Sequence, residues 1–113
     1  MASRRPRPDW PPSAAELDAL IEEATVDAYG ESEQCTGFYT MLEEHLDLPF
    51  NTEILGVAAT VERIDLTDDE QIVAIARRGR ARQSIPILDL LLPARPPAEA
   101  KWIEAFRRSA RRG

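Results

Sequence analysis

Residues 30–50 read GESEQCTGFYTMLEEHLDLPF, and this stretch decides the fold. Apolar residues recur in it at the three- and four-residue spacing of one helical face: Cys35, Phe38, Leu42 and Leu46. The residues on the opposite side are all acidic: Glu33, Glu43, Glu44 and Asp47. Like charges four residues apart on a helix repel one another at a cost of about 0.2–0.5 kcal/mol per pair. The pattern therefore predicts a helix with one buried face and raises the question of which cation relieves the repulsion.

Another helix is predicted immediately before this stretch. Ser13 followed by Glu16 forms a capping box, because each side chain accepts a hydrogen bond from the backbone N–H of the other residue. The apolar positions that follow have the 3.6-residue period of a helix: Leu17, Leu20, Ile21, Ala24 and Ala28. Gly30 is well placed to end this helix in a left-handed conformation. The next helix is expected to run from near Glu31 to about Asp47, so a break of about one to two residues makes a helical hairpin.

After these helices the hydrophobic period changes from 3.6 to 2, which predicts strands. Apolar and polar residues alternate over 57–62, and an apolar run at 72–75 follows an acidic turn at 65–70. Arg78-Gly79 offers a tight turn into a third strand, and residues 88–92 are expected to close the sheet. We therefore predict an α+β fold, in which the N-terminal helical hairpin packs on a small antiparallel β-sheet or an SH3-like barrel.

The two ends of the chain differ in composition from its middle. Residues 1–12 are basic and proline-rich, which predicts a flexible arm anchored at Trp10. Residues 13–92 are expected to form the domain. Residues 93–113 are predicted to be a proline connector followed by an amphipathic helix, with an arginine-rich tail that is solvated. The apolar face of that helix carries Trp102, Ile103 and Phe106.

Charge is divided unevenly along the chain. The 113 residues are 43% hydrophobic and 30% charged, as in an ordinary soluble domain, and the formal net charge is −6. Residues 9–76 hold 17 of the 20 acidic residues and one basic residue, Arg63, so their net charge is −16, whereas both ends are basic. An acidic body suits a cation or a basic protein partner and repels nucleic-acid phosphates. Nucleic-acid binding by the basic C-terminal helix therefore ranks last among the functions considered.

Cysteine content and hydropathy indicate the compartment. The chain has one cysteine, Cys35, in the apolar stripe, so we expect a buried structural thiol in a reducing environment. No apolar run approaches the roughly 18 to 20 residues of a membrane span. The arginine-containing N-terminus is followed by prolines and not by a hydrophobic signal core. We therefore expect a cytoplasmic monomer that does not contact membranes.

Signatures of catalysis are largely missing from the sequence. It contains no glycine-rich phosphate loop and no CxxC pair, and His45 is the one histidine able to titrate near neutral pH. A histidine on a helix is more often packed than catalytic, and nothing marks a pocket in which paired carboxylates would acquire different pKa values. We therefore expect that the protein is not an enzyme.

The carboxylates fit a hard divalent cation. Ca²⁺ takes about six to eight oxygen ligands in irregular geometry, and residues 16–53 contain 11 acidic residues and no basic one. We expect the two helices to bring five carboxylates together, because no single helical turn supplies enough ligands: Asp27, Glu31, Glu43, Glu44 and Asp47. A second candidate site is the acidic turn that contains Asp65, Thr67, Asp68, Asp69 and Glu70, with Asp65 and Asp68 as the predicted ligands. No segment has the EF-hand pattern. The alternatives are a solvated acidic face and an ordinary hairpin turn.

These same residues carry a resemblance to a known family. VDAYGESEQ, then GFYTMLEEHLDLPF, then a β-rich segment resemble the small non-EF-hand calcium-binding protein family first recognised in cyanobacteria, in which an aromatic-rich LE(E/D) helix precedes a PF motif. The resemblance covers about residues 26–90, with Phe38 where the family pattern has tryptophan. It implies a cytoplasmic Ca²⁺-binding protein with an α+β fold and no catalytic activity. The acidic ligands that it implies are Asp27 and Glu31 in the first block and Glu43, Glu44 and Asp47 in the second.

We therefore predict a calcium buffer or sensor that uses clustered carboxylates outside any EF-hand and prefers Ca²⁺ to Mg²⁺. The alternative is an acidic interaction module that docks a basic protein partner.

Overall fold

The helices and strands follow the two hydrophobic periods of the sequence, in a computed structural model that describes residues 10–112. In chain order they are α1 (Ala14–Thr25), α2 (Glu31–His45), β1 (Phe50–Ile54), β2 (Val57–Leu66), β3 (Ile72–Arg78), β4 (Ala81–Pro86), a short 3₁₀ turn (Ile87–Asp89) and α3 (Lys101–Arg112). Two N-terminal helices, a four-stranded antiparallel sheet and a C-terminal helix confirm the α+β fold class. Most of the predicted arm lies outside the described residues, but Trp10 packs against the core as expected.

The predicted capping box starts α1. The backbone N–H of Glu16 donates to Oγ of Ser13 at 3.1 Å, and the N–H of Ser13 donates to Oε1 of Glu16 at 3.3 Å. The helix ends at Thr25, earlier than predicted, because Val26 adopts extended backbone and β-branched residues disfavour a helix. The predicted break of one to two residues is therefore wrong: residues 26–30 separate the helices, and Gly30, with a φ of 133°, precedes α2.

A glycine lets the two helices approach each other closely. A Cβ atom on Gly37 of α2 would overlap with the backbone carbonyl oxygen of Ala24, near the end of α1. The side chain of Ala24 is buried at the same contact. The packing of α1 on α2 confirms the predicted helical hairpin, and it depends on the missing side chain at position 37.

The strands form one sheet in the order β1-β2-β3-β4. Leu55 and Gly56 connect β1 to β2 with φ values of 51° and 79°, the left-handed values that a tight two-residue turn needs. The predicted turn between β3 and β4 is confirmed at Gly79, where φ is 62°. An acidic turn connects β2 to β3 as predicted, but it spans residues 67–71 and not 65–70, because Asp65 and Leu66 belong to β2.

Two expectations about the sheet are wrong. Residues 88–92 do not close it, because the chain there leaves the 3₁₀ turn in irregular backbone and contacts β1 through a side chain. Oγ1 of Thr52 donates to the carbonyl oxygen of Leu91 at 2.6 Å. β1, which the sequence analysis does not predict as a separate strand, forms one edge of the sheet and β4 forms the other. The sheet is therefore open, and the barrel alternative is wrong.

The core lies between the helices and one face of the sheet. Phe38 and Leu42 of α2 are 2% and 0% exposed, which confirms the apolar stripe that opens the sequence analysis. They belong to one cluster with Val61 of β2 and Ile103 of α3. The rings of Phe38 and Phe106 meet edge to face with centroids 5.3 Å apart, a geometry that favours aromatic pairs.

Helix α3 confirms the predicted amphipathic helix but not its solvated tail. The guanidinium of Arg107 donates to the carbonyl oxygens of Ile87 and Leu90, so it caps the 3₁₀ turn. Arg108 and Arg112 contact the carboxylate of Asp18 on α1 at 2.9 and 2.7 Å. These arginines therefore bind the helix to the rest of the fold. Neither α3 nor another helix in the described part of the chain is long and apolar enough to cross a membrane.

Candidate metal centre

The five predicted ligands of the hairpin lie at the two ends of α2. Asp27 is in the connection before α2, with a φ of 64°, and Glu31 is the first residue of the helix. Glu43 and Glu44 are in its last turn, and Asp47 follows it. At about 1.5 Å per residue, Glu31 and Glu43 are about 18 Å apart along the helix axis. The expectation that the hairpin brings all five together is therefore wrong, because Glu31 is at one end of α2 whereas Glu43 and Glu44 are at the other.

The carboxylates are exposed and dispersed. Among residues 10–112, no group of three or more His, Cys, Asp or Glu side chains is close enough to hold a metal ion. All five hairpin carboxylates are exposed to solvent, and so is that of Asp68 in the β2–β3 turn. Whether each of them binds a cation stays a prediction.

The β2–β3 turn docks on α2. Oγ of Ser32 donates to Oε1 of Glu70, and Sγ of Cys35 donates to the Glu70 carbonyl oxygen at 3.1 Å. Glu70 adopts a left-handed φ of 64°, which turns its side chain and its carbonyl toward the helix. The β2–β3 turn and the end of β2 thus lie along one face of α2, which we call the α2–turn contact. Of the hairpin carboxylates, Glu31 borders the turn itself, whereas Glu43 lies eleven residues beyond Ser32 on the helix.

Inside the turn, hydrogen bonds hold two of the acidic residues. Oγ1 of Thr67 donates to Oδ1 of Asp69, and the N–H of Gln71 donates to Oγ1 of Thr67 at 3.0 Å. The N–H of Thr67 donates to the carbonyl oxygen of Gln71 at 2.9 Å, which closes the turn. Asp69 and Glu70 thus stabilise the turn, whereas the Asp68 side chain makes no hydrogen bond within the described residues.

Further along the α2–turn contact, Tyr39 lies near carboxylates from two elements. Its phenol donates to Oε2 of Glu43 at 2.7 Å. This hydrogen bond, burial, and the negative charges of Glu43 and Asp65 raise the pKa of Tyr39 above its ordinary value. Asp65 is on β2, and its Oδ1 accepts from the N–H of Leu66 at 2.9 Å. One helical and one strand carboxylate therefore act on the same phenol.

Cys35 and His45 both contact neighbouring residues of the fold. Burial, with a smaller effect of Glu70, raises the pKa of the Cys35 thiol, so the thiolate is disfavoured. The His45 ring stacks on Trp102 with centroids 5.8 Å apart and planes 14° apart. Cys35 is half-buried and not buried as expected, and His45 is exposed although its ring stacks on Trp102.

Comparison with protein families indicates which ligand to expect. A family model described as calcium binding matches residues 18–90, which is more than half of the chain. The chain belongs to this calcium-binding family. The resemblance noted in the sequence is thereby confirmed, and so is Ca²⁺ as the ligand to expect. No significant match was found among curated proteins or among solved structures.

The donor chemistry of this calcium-binding family member fits Ca²⁺, which binds carboxylate, carbonyl and water oxygens. The matched segment contains every carboxylate predicted as a ligand, whereas α3 lies beyond it. The geometry fits in part: the α2–turn contact offers carboxylates from two elements, and further oxygens must come from the backbone and from water.

Sequence analysis missed Tyr39 and Ser32 as parts of this contact, and it placed Glu70 in the candidate turn without its contact to α2. A signal for two of them is present, because Ser32, Cys35 and Tyr39 have the helical spacing of one face. That face is half polar, so a hydrophobic pattern does not detect it.

Proposed function

We propose that this protein is a calcium buffer or sensor whose ion is held at the α2–turn contact, with Glu43 and Asp65 as its first two ligands. The observation that supports this proposal is Tyr39, which hydrogen-bonds to Glu43 and is influenced by the charge of Asp65. Carboxylates from a helix and from a strand suit Ca²⁺, because it tolerates irregular coordination by donors on separate elements.

Two further carboxylates lie close enough in the chain to contribute, because Glu44 and Asp47 lie within one turn of Glu43. Asp68 is in the β2–β3 turn, which contacts α2 at Ser32 and Cys35, so it lies toward the other end of the α2–turn contact. When bound, Ca²⁺ would offset the mutual repulsion of the ligands and strengthen the link between α2 and β2. Asp27 and Glu31, at the far end of α2, would belong to a second and separate ion.

A second candidate function is docking of a basic protein partner at the α1–α2 connection. Val26 and Tyr29 are 66% and 86% exposed there, on either side of Asp27 and before Glu31. Exposed apolar side chains among carboxylates fit a partner with basic and apolar residues side by side.

We propose no catalytic role, and the ring of His45, the one histidine, stacks on Trp102. We also propose that the protein acts in the cytoplasm as a monomer. The single, half-buried cysteine is compatible with a reducing compartment.

Calorimetric titration with CaCl₂ tests the site. We expect Glu43→Gln and Asp65→Asn each to weaken Ca²⁺ binding about tenfold or more, since each removes a charged ligand. Glu22→Gln is the matched control, because Glu22 is an exposed residue of α1 with the same charge and shape.

The outcome separates the alternatives. If Asp27→Asn weakens binding and Glu43→Gln does not, the ion lies at the α1–α2 connection. If only Asp68→Asn weakens it, the turn alone is the site. If none of these variants differs from Glu22→Gln, the proposed ligands are wrong.

A further inference from the structure

A groove lies at the end of the sheet away from the α2–turn contact. It is lined by β1, by the adjoining part of β2, by Arg77, Arg78 and Gly79 at the end of β3, and by residues 91–94. Its volume is about 780 Å³. Thr60 of β2 lines it, and at about 3.3 Å per residue Thr60 is roughly 16 Å along the strand from Asp65. We call it the arginine groove, and it is separate from the proposed calcium site.

Basic residues that lack partners distinguish this groove within an acidic protein. Glu62 bridges Arg77 and Arg82 at 3.2 and 3.0 Å, so one carboxylate is shared by two guanidinium groups. Arg78 lines the groove, and Arg80 is in the adjoining β3–β4 turn outside the lining. Neither forms an ion pair with any described residue. Glu53 is the one acidic residue in the lining. The β3–β4 turn is therefore a local excess of positive charge on a chain whose net charge is −6.

The lining also indicates the kind of ligand. The volume lies within the roughly 300–1,000 Å³ of pockets that hold drug-sized ligands or several side chains. None of the lining residues is aromatic, so the groove offers no stacking surface for a nucleobase. Its apolar part comes from alanines and from residues 91–93, and Leu91 is 58% exposed. The lining crosses three neighbouring strands, β1, β2 and β3, and continues to residues 91–94, so a ligand that contacts all of it is elongated.

We propose that the arginine groove binds an extended, acidic segment of a partner protein. One carboxylate of that segment pairs with Arg78 in the groove and another with Arg80 in the adjoining turn, and both arginines are exposed and available for bidentate hydrogen bonds. Apolar side chains of the segment contact Leu91 and Ala58, which are exposed. The partner segment is thus negatively charged, whereas a partner of the acidic helices would be positively charged. Binding in the groove does not depend on Ca²⁺.

Fluorescence anisotropy with the full-length protein tests this proposal. The probe is a short fluorescein-labelled peptide in which Glu alternates with Leu and Val, and the control peptide has Gln in place of Glu. We expect saturable binding of the acidic peptide that weakens as salt is raised and is unchanged by a calcium chelator. We expect Arg78→Gln and Arg80→Gln each to weaken it about tenfold, the loss for one charged hydrogen-bonding partner.

Arg111→Gln is the matched control, because Arg111 is an exposed arginine of α3 that forms no ion pair with any described residue. Amide shifts in the nitrogen-15 spectrum should change at Asn51, Thr60 and Gly79 and not in α2. The proposal is overturned by absence of saturable binding, by equal binding of the Gln peptide, or by equal losses in Arg78→Gln and Arg111→Gln. Tighter binding of single-stranded DNA, or a requirement for Ca²⁺, also overturns it.

Discussion

The phenol of Tyr39 donates a 2.7 Å hydrogen bond to the carboxylate of Glu43, one turn later on α2. Because the acceptor is also the first proposed calcium ligand, the protonation of Tyr39 reports on the charge of that carboxylate. The hydrogen bond favours the neutral phenol, and the nearby negative charge disfavours the phenolate, so both raise the pKa of Tyr39 above 10.0.

We expect Ca²⁺ to lower the pKa of Tyr39. An ion bound to Glu43 neutralises its charge and competes for the oxygen that accepts the phenol proton. The measurement is phenolate absorbance during an alkaline titration, with and without Ca²⁺, in a Tyr29→Phe background so that Tyr39 is the one tyrosine observed. Glu43→Gln should lower the pKa without Ca²⁺ and abolish the response to it. An identical Tyr39 titration at saturating Ca²⁺ would exclude Glu43 as a ligand.

The raised pKa of Tyr39 makes the free energy of unfolding depend on pH in the alkaline range. The pKa of Tyr39 is raised in the folded state, so the folded chain holds this proton more tightly than the unfolded chain does. The resulting stabilisation is complete below about pH 10 and is lost as the pH rises through the folded pKa.

Gly37→Ala should destabilise the protein although alanine is the better helix former. The gain in helix propensity is about 1 kcal/mol. The new Cβ would overlap with the Ala24 carbonyl oxygen, which is backbone and cannot rotate away, and overpacking typically costs about 1–3 kcal/mol. Urea unfolding should therefore show a lower midpoint. Thr40→Ala, an exposed change on the same helix, should have a much smaller effect. A midpoint equal to or above that of the parent would mean that α1 and α2 separate easily.

Hydrophobic periodicity predicts the helices and strands in which apolar and polar residues alternate regularly. The stripe of α2, the alternation of β2 and the face of α3 are long enough to be recognised, and each is an element of the fold. β1 has five residues and begins directly after the proline that follows α2, so its period is too short to detect. Its turn, Leu55-Gly56, lacks the asparagine or aspartate that usually marks a two-residue hairpin.

The candidate site is harder to predict than the fold because it depends on long-range contacts. Charge patterns identify Glu43 and Asp65, but they do not show that Glu70 anchors the turn on Ser32, 38 residues earlier. The end of α1 matters as well. Because the helix stops at Thr25, Asp27 lies in the connection and not on a face opposite Glu43.

Asp18→Asn should lower the melting temperature at neutral pH. A hydrogen bond from Arg108 is the largest cause that lowers the pKa of Asp18; burial opposes it, and the charges of Arg108 and Arg112 lower the pKa further. Because the pKa of Asp18 is lower in the folded protein, the stabilisation by its carboxylate is complete above pH 3.8 and is lost as the pH falls through the folded pKa. The difference in melting temperature between the variant and the parent should therefore vanish below the folded pKa. It should be small and salt-sensitive, as for exposed ion pairs.

Glu22→Gln, on the same helix, is the control, because no described residue forms an ion pair with Glu22. Thermal scans at several pH values and two salt concentrations make the comparison. A difference between Asp18→Asn and the parent that persists at pH 2 would mean that Asp18 acts through packing and not through its charge.

Ca²⁺ should raise the melting temperature, since an ion that binds the folded state alone stabilises it by RT ln(1 + [L]/Kd). That stabilisation is about 2.7 kcal/mol at a hundredfold excess over Kd, which corresponds to a shift on the order of 10 °C for a domain of this size. NaCl of equal ionic strength should reproduce only part of the rise, because screening acts on all surface charges alike. Mg²⁺ should give a smaller rise, since its strict octahedral geometry suits dispersed carboxylates poorly.

Glu43→Gln distinguishes a formed site from a diffuse acidic surface. The variant should melt slightly higher than the parent without Ca²⁺, because the carboxylate four residues from Asp47 is replaced by a neutral group of the same shape. It should lose the part of the calcium response that NaCl does not reproduce, while Glu22→Gln keeps it. Equal responses of both variants, or equal shifts with Ca²⁺ and Mg²⁺, would indicate that the cations only screen the acidic surface.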